Sequence, residues 1–205
     1  MRKGRATREK LMDIAEVAVL SKGFGATSIE EIIAEAEITK SGFFYHFKDK
    51  NELARALLQR YLETEDRILD NLFDRASELH DDPLHAFLIG LKLMSEMMAD
   101  LPSGHPGCLV ATYCYNERLF DRDVQEINRE AVLRWRARFL AVFEEIAAVY
   151  PPSDDVDFEA LADMVSTIVE GGIVMSKAVR EPKVLAEQIM MLRSYIKLLF
   201  LPVQN

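Results

Sequence analysis

The feature that most limits what this chain can fold into is a helical repeat of apolar residues along almost its whole length. Leu11, Ile14, Ala15, Ala18 and Val19 follow the i, i+3, i+4, i+7 spacing that puts one apolar stripe on a helix. No segment alternates apolar and polar residues at period two, the pattern of a half-buried strand. The sequence therefore predicts an all-α protein.

Turn-forming segments divide this pattern into separate helices. Gly23 is expected to end the first helix, and Thr27 and Thr39 are expected to begin two short ones. Stretches rich in proline and glycine separate the later helices. These longer helices are predicted from residue 49 to beyond residue 72, and over residues 83–99, 108–119, 124–149, 158–179 and 184–201.

Composition excludes several classes of protein. Apolar residues make up 49% of the 205 residues and charged residues 29%, which is typical of an ordered globular chain. No apolar stretch approaches the roughly 20 residues of a membrane span, and the basic start leads into no apolar signal segment. Cys108 and Cys114, six residues apart, form no disulfide framework. We therefore expect a cytoplasmic protein with no membrane partner.

Charge is distributed unevenly along the chain. The net charge is −9, but residues 1–60 hold 11 Lys/Arg against 9 Asp/Glu, a balance of +2. The remaining residues hold 14 against 25, a balance of −11. The first ten residues are the most basic, with five Lys/Arg and one acid. This asymmetry is a weak indication of a nucleic-acid-binding face near the N-terminus, and charge alone favours the alternative, a solvated, frayed N-terminus.

The most informative segment is 27–53. It predicts a short helix with Thr27 and Glu30 as a capping box, a tight break at residues 36–38, and a second short helix from Thr39. Two short helices joined by such a turn form a helix-turn-helix, whose second helix enters the major groove of DNA. Phe44 and Phe47 are expected to pack inward.

This segment resembles the TetR (tetracycline-repressor) family of bacterial regulators. The resemblance rests on the basic arm, the string Thr27-Ser-Ile-Glu-Glu-Ile-Ile33 and the string Tyr45-His-Phe-Lys-Asp-Lys-Asn-Glu-Leu53. It covers residues 8–60 by motif and the rest by length and helix order only. One departure is Glu37, where relatives usually carry glycine; a left-handed turn there would cost about 1 kcal/mol or more.

The resemblance implies a helix-turn-helix DNA-binding domain over residues 1–50 and a ligand-sensing and dimerisation domain over residues 51–205. It implies base contacts near the start of the recognition helix and phosphate contacts around it. The residues expected to bind DNA are Arg5, Thr27, Ser28, Thr39, Lys40, Ser41, Gly42, Phe43, Tyr45, His46 and Lys50.

The resemblance also implies that the last two helices pair with their copies to form a four-helix bundle in a homodimer. Apolar residues offered for that interface are Val165, Ile168, Val169, Ile173, Val174, Ile189, Leu192, Tyr195, Ile196 and Leu199. The adjacent Gly171 and Gly172 are expected to mark a close helix approach or a bend.

The middle helices are expected to enclose a pocket for a small, mostly apolar or electrophilic effector. The residues expected to line it are Met94, Met98, Cys108, Tyr113, Asn116, Trp135, Phe139, Met164 and Glu170. Such a cluster of methionine and aromatic side chains is more often ordinary core, and it is the resemblance that favours a pocket. Cys108 follows Pro106 and Gly107 at a predicted helix start and near His105, so it is interpreted either as a reactive thiol or as a small buried side chain.

Motifs for other functions are lacking. No histidine has a glutamate three residues before it, and there is no phosphate-binding loop, nucleophile elbow or metal-binding string. We therefore expect no enzyme activity, no cofactor and no metal. The sequence predicts a repressor that binds a palindromic operator as a dimer and is released by its effector. The alternative is a helical dimer that binds a ligand but not DNA.

Overall fold

The computed structural model describes residues 2–201, with side chains from residue 4 onward. Within that range the chain forms nine α-helices and one short 3₁₀ turn, joined by loops. No strand occurs within that range, so the all-α prediction is confirmed. The helices are α1 (Arg2–Lys22), α2 (Ile29–Ala36), α3 (Lys40–His46), α4 (Lys50–Leu79), α5 (Pro83–Ala99), α6 (Leu109–Tyr115), α7 (Arg122–Val149), α8 (Phe158–Val179) and α9 (Lys183–Phe200), with the 3₁₀ turn at Glu117–Leu119.

Side-chain caps determine where several helices begin. Thr39, Asp82 and Asp157 each accept a hydrogen bond from a backbone N–H in the first turn of α3, α5 and α8. Such a bond satisfies a donor that has no partner within the helix, which favours a helix start at that residue. The predicted bounds of α5 and α8 coincide with those observed.

The chain divides into two compact units. The head unit comprises Met1–Thr64 and Pro106–Ala131, and the body unit comprises Glu65–His105 and Val132–Asn205. Helices α4 and α7 therefore each contribute residues to both units.

The head unit has a small core of its own. The first three helices and the start of α4 supply its buried side chains, and these leave almost no exposed surface. Because burial of each large side chain among them contributes roughly 1.5–3 kcal/mol, this core holds the short helices α2 and α3 in place. The core residues are Leu11, Met12, Ala15, Ile32, Ala36, Phe43, Phe47, Leu53, Ala56 and Leu57.

The body unit packs α5 and α8 against α9. The Ser95 hydroxyl on α5 donates to the carbonyl of Ala186 at 3.0 Å, and the Arg193 Nε donates to the carbonyl of Leu88 at 2.9 Å. The ring of Phe87 packs against two other rings, and its centroid lies 5.6 Å from that of Phe73 and 5.2 Å from that of Phe143. None of the helices in the described part of the chain combines the length and hydropathy that crossing a bilayer requires.

Candidate nucleic-acid interface

Helices α2 and α3 meet at a turn whose backbone geometry is set by three residues. Ser28 caps α2 by accepting from the backbone N–H of Glu31 at 3.1 Å, and Thr39 caps α3 by accepting from that of Gly42 at 3.1 Å. Between the helices, Glu37 adopts the left-handed conformation with φ 57° and ψ 42°. The turn therefore has the left-handed geometry that favours glycine, and Glu37 bears its steric cost.

The cap of α2 differs from the prediction by one residue. Ser28, not Thr27, is the N-cap, so the capping pair is Ser28 and Glu31. Thr27 is only 1% exposed, and its hydroxyl donates to the carbonyl of Gly23 at 2.9 Å. Its expected contact with a phosphate is therefore wrong, because the side chain is enclosed by the head core. Ser28 is exposed and retains that expected role.

The two adjacent phenylalanines of α3 have the opposite orientation to the one expected. Phe43 is fully buried, whereas Phe44 is 43% exposed. A buried ring cannot reach a base, so the DNA contact predicted for Phe43 is wrong, and Phe44 lies on the open side instead. Phe47 is buried, as expected, and it lies one helical turn after Phe43. That i, i+4 spacing was the signal in the sequence that would have assigned Phe43 to the core.

The remaining residues at the start of α3 form an exposed polar face. Thr39, Lys40 and Ser41 are all exposed, and the Lys40 side chain retains 67% of its surface. The Lys40 ammonium lies 3.4 Å from Glu30 Oε1 on α2, an exposed pair that holds the cation weakly. Tyr45, at 82%, is the most exposed large side chain in the segment. Hydroxyl, ammonium and phenol groups of this kind suit contacts to phosphates and base edges.

The N-terminal part of α1 lies beside this face. A side chain at Gly4 would begin 3.8 Å from the His46 ring, so the start of α1 runs next to the end of α3. Arg5 is exposed there, and the guanidinium of Arg8 lies 4.8 Å from the centroid of the Phe47 ring. The basic side chains of residues 1–3 lie outside the described residues. Arg5 and the half-buried His46 thus adjoin the polar face defined above.

Lys50 is placed differently from a simple surface cation. Its ammonium donates to the carbonyl of Phe24 at 2.7 Å and lies 4.3 Å from the centroid of the Phe24 ring. Burial lowers the pKa of the Lys50 ammonium. In this arrangement Lys50 joins the start of α4 to the turn that follows α1. A phosphate bound by Lys50 would have to share its ammonium with the Phe24 carbonyl.

Gly42 is half-buried within α3 and has ordinary surroundings. A Cβ built on it would lie 3.4 Å from Thr39 Oγ1 and 3.6 Å from Ile38 Cβ, both within normal packing distance. The fold therefore tolerates a side chain at this position. The DNA contact expected of Gly42 stays a prediction.

Ion pairs and a buried tyrosine brace the head unit behind the interface. Arg60 on α4 meets three acids of α1 at 2.7–3.3 Å: Glu9, Asp13 and Glu16. The Tyr113 hydroxyl on α6 donates to the carbonyl of Ala54 at 2.8 Å. Burial, with a smaller contribution from the charge of Glu16, raises the pKa of Tyr113. These contacts connect α4 to α1 and α6 within the head unit.

The nine residues expected to line an effector pocket are divided between the units. Cys108, Tyr113 and Asn116 belong to the head unit, and Tyr113 there is a core residue whose ring stacks on Phe120 at 4.4 Å. Six belong to the body unit, where they range from half-buried to buried: Met94, Met98, Trp135, Phe139, Met164 and Glu170. Cys108 is half-buried and forms the N-cap of α6, with its sulfur 3.5 Å from the backbone nitrogen of Ala111.

Comparison with known proteins begins with the head. Residues 11–57 match the family described as bacterial regulatory proteins, tetR family. The transcriptional regulator AcuR of Cereibacter sphaeroides is 27% identical over 164 residues, which cover 78% of this chain and 72% of AcuR. The regulator TtgR of Pseudomonas putida is 33% identical over 97 residues, 46% of this chain. That match spans less than half, 44%, of the length of TtgR.

Solved structures extend the similarity to the full length. A regulatory protein TetR from Rhodobacter sphaeroides has a TM-score of 0.73 at 25% identity, covering 91% of this chain and 97% of that one. The reduced form of NemR from Escherichia coli has a TM-score of 0.76 at 17% identity, covering 98% of this chain and all of the other. At that lower identity the likeness to NemR concerns the fold alone.

Proposed function

Because the chain belongs to the TetR family of bacterial transcription regulators, we propose that it is a repressor whose homodimer binds a palindromic operator and is released by a small effector. The observation that carries the proposal is the exposed polar face of α3. The buried ring of Phe43 holds this helix on the head core, while Thr39, Lys40 and Tyr45 point away from it. Such a helix can enter a major groove without rearrangement of the head.

Charge supports the location of the interface. The overall charge of −9 opposes binding to DNA, but residues 1–60 have a balance of +2. Arg5 and Lys40 stand exposed at the face itself. Cations at the contact surface release counterions from the duplex, so affinity depends on their local positions more than on the net charge. A regulator that binds chromosomal DNA acts in the cytoplasm.

A homodimer is supported by an apolar face on α8 and α9. Six large apolar side chains of α8 and α9 are 45–64% exposed: Val174, Met175, Val179, Met191, Tyr195 and Leu198. Spacings of three or four residues place Met191, Tyr195 and Leu198 on one side of α9 and Met175 and Val179 on one side of α8. Most of the residues first offered for this interface pack instead inside the subunit, because Val165, Ile189 and Ile196 are at most 1% exposed. Val174 and Tyr195 are the two of that set that are clearly exposed.

The two glycines of α8 agree with this division into inner and outer faces. A side chain at Gly172 would begin 2.8 Å from Leu185 Cδ1, so Gly172 permits α8 to approach α9 within the subunit. At Gly171 nothing lies within 4 Å of such a side chain, and the residue is exposed. Gly171 therefore adjoins the face proposed for the second subunit. Sedimentation of the parent chain and of Met191→Asp tests it, since a buried aspartate would dissociate the dimer.

The effector proposed is a small, mostly apolar or electrophilic molecule. The methionine and aromatic side chains of the body unit, such as Met94 and Phe139, would favour an apolar ligand. Cys108 would provide the reactive thiol for an electrophile. Labelling with iodoacetamide at pH 7 tests the second idea, with the exposed Cys114 as internal reference. If Cys114 reacts and Cys108 does not, the electrophile part of the proposal is wrong.

Effector release is proposed to act by a shift between two populations of the dimer. Helix α4 is the natural route of coupling, because its residues belong to both compact units. Coupling of this kind typically amounts to about 1–3 kcal/mol, or roughly 5- to 150-fold in affinity. An effector that saturates the protein but leaves operator affinity unchanged would contradict this mechanism.

The decisive experiment is selection from a pool of genomic fragments, with the chain's own promoter included, at two salt concentrations. The proposal expects recovery of a short palindrome, with an affinity that falls steeply as salt rises. Binding that depends on salt but selects no sequence would contradict the operator-specific repressor. An absence of binding at both salt concentrations would favour the alternative, a dimeric ligand-binding protein.

A further inference from the structure

The segment between α4 and α5 brings two imidazoles and a carboxylate together. The sequence there is His80-Asp-Asp-Pro-Leu-His85, and His80, Asp82 and His85 each offer one ligand atom within 4.8 Å of the others. Among the residues that the structure describes, this is the only group of three or more such side chains placed so closely. No metal was expected from the sequence, because its histidines match none of the longer known metal-binding strings; the spacing His-x-Asp-x-x-His is the local signal for this group.

Hydrogen bonds hold Asp82 at the centre of the group. Its Oδ1 accepts from the backbone N–H of His85 at 2.9 Å and lies 2.7 Å from His85 Nδ1. Its Oδ2 accepts from the hydroxyl of Tyr150 at 2.6 Å. Burial alone would raise the pKa of Asp82, but the bonds from Tyr150 and His85 outweigh it and lower that pKa to about 2. The contacts with His85 and Tyr150 thus hold the carboxylate in one orientation.

The two imidazole rings lie beside one another. Their centroids are 4.8 Å apart and their planes differ by 19°. The backbone N–H of Asp82 donates to His80 Nδ1 at 3.1 Å, so that nitrogen is unprotonated and its lone pair is engaged; an ion bound there would take the place of that N–H. A helix cap alone needs only the Asp82 carboxylate. The paired imidazoles and the phenol of Tyr150 are additional to that role.

We propose that His80, Asp82 and His85 bind a divalent ion of the zinc class. Imidazole nitrogen and carboxylate oxygen are ordinary ligands of Zn²⁺, and three protein ligands with an open fourth position form a common set. The ion would replace the proton shared by His85 Nδ1 and Asp82 Oδ1. A tetrahedral site needs ligand atoms about 3.3 Å apart. The three ligand atoms now lie within 4.8 Å of one another, and bringing them to that separation requires movement mainly of His80, which is exposed at the end of α4.

Tyr150 would be a positioning residue for this site. Its hydroxyl holds Asp82 from outside the ligand set, as hydrogen-bonding partners of metal ligands commonly do. A bound ion would connect the end of α4, the start of α5 and the residue that follows α7, all within the body unit. It would therefore stabilise that unit. The site is independent of the proposed DNA binding and can be tested without an operator.

The test uses the full chain, without an affinity tag and with its thiols reduced. Titration with Co²⁺ is followed by visible absorption, and Zn²⁺ then displaces the cobalt. We expect one ion per chain, no thiolate charge-transfer band, and a rise in Tm that accompanies Zn²⁺ binding. Failure to bind at about 100 µM metal would overturn the proposal, because it would imply an affinity far weaker than that of a folded zinc site. A thiolate band would also overturn it.

Variants identify the ligands. His80→Asn combined with His85→Asn should weaken binding by at least about 100-fold, and Tyr150→Phe by about 10- to 100-fold. Asp81→Asn, which removes the charge of an exposed neighbour outside the group, is the matched control and should bind like the parent. Circular dichroism and Tm without metal verify that each variant is folded. A double variant that is folded and still binds with the affinity of the parent would overturn the assignment.

Discussion

The head unit and the body unit are both built from amphipathic helices, but they differ in what determines their functional surfaces. In the head, the short polar side chains of Ser28 and Thr39 cap α2 and α3, and both are exposed at the start of these helices. In the body, the candidate pocket and dimer residues are apolar and resemble ordinary core residues in type. Local sequence therefore identifies the function of the head well, while that of the body depends on which apolar side chains the fold leaves exposed.

The largest effect expected from this comparison concerns the two adjacent phenylalanines of α3. Phe43→Ala should lower the free energy of unfolding by about 3–5 kcal/mol, because it leaves a cavity in the small head core. Phe44→Ala, whose ring is 43% exposed, should cost about 1 kcal/mol or less. Urea denaturation followed by circular dichroism measures both. Equal losses from the two variants would contradict the assignment of Phe43 to the core and of Phe44 to the surface.

The corresponding test in the body uses the two adjacent glycines of α8. Gly172→Ala should cost about 1–3 kcal/mol, because its new methyl group would meet Leu185, including the backbone Cα at 3.2 Å. Gly171→Ala has open space around it and should stabilise the helix by up to about 1 kcal/mol. Thermal unfolding at matched protein concentration compares the two. Destabilisation by Gly171→Ala that depends on concentration would instead place it inside the dimer interface.

The exposed face of α3 is tested by Lys40→Ala. Loss of this cation should weaken operator binding by about 1–3 kcal/mol per site while stability remains unchanged, because the side chain is mostly exposed. Lys92→Ala is the matched control, since Lys92 is an exposed lysine of α5 with a similar acidic neighbour. Fluorescence anisotropy on the selected operator provides the affinities. If the two variants bind alike, α3 does not read DNA through Lys40.

The smallest effects are expected at two left-handed helix ends, one in each unit. Glu37 ends α2 with φ 57°, and Arg180 ends α8 with φ 58°. Replacing either by glycine should stabilise the chain by about 1 kcal/mol, since glycine adopts this conformation without steric cost. Glu37→Ala and Arg180→Ala are the controls and should bring no such gain. Tm values measure the differences, and a gain from alanine would contradict strain as the cause.

The sequence by itself determined the number of helices, most of their bounds and the position of the helix-turn-helix. These properties are local: periodicity, caps and breakers act within a few residues, so Pro83–Ala99 and Phe158–Val179 could be read directly. The exposed residues at the start of α3 were also predictable, because the cap at Thr39 sets the phase of that helix.

Other properties depended on contacts between distant parts of the chain. Packing of α3 onto α1 and α2 decided that Phe43 is buried and Phe44 exposed, although the two are identical in type. Packing also enclosed Thr27 and left Ser28 to cap α2, although serine and threonine can each cap a helix by themselves. Only the tertiary structure brought Tyr150 to Asp82, 68 residues away, because no local pattern records such a contact.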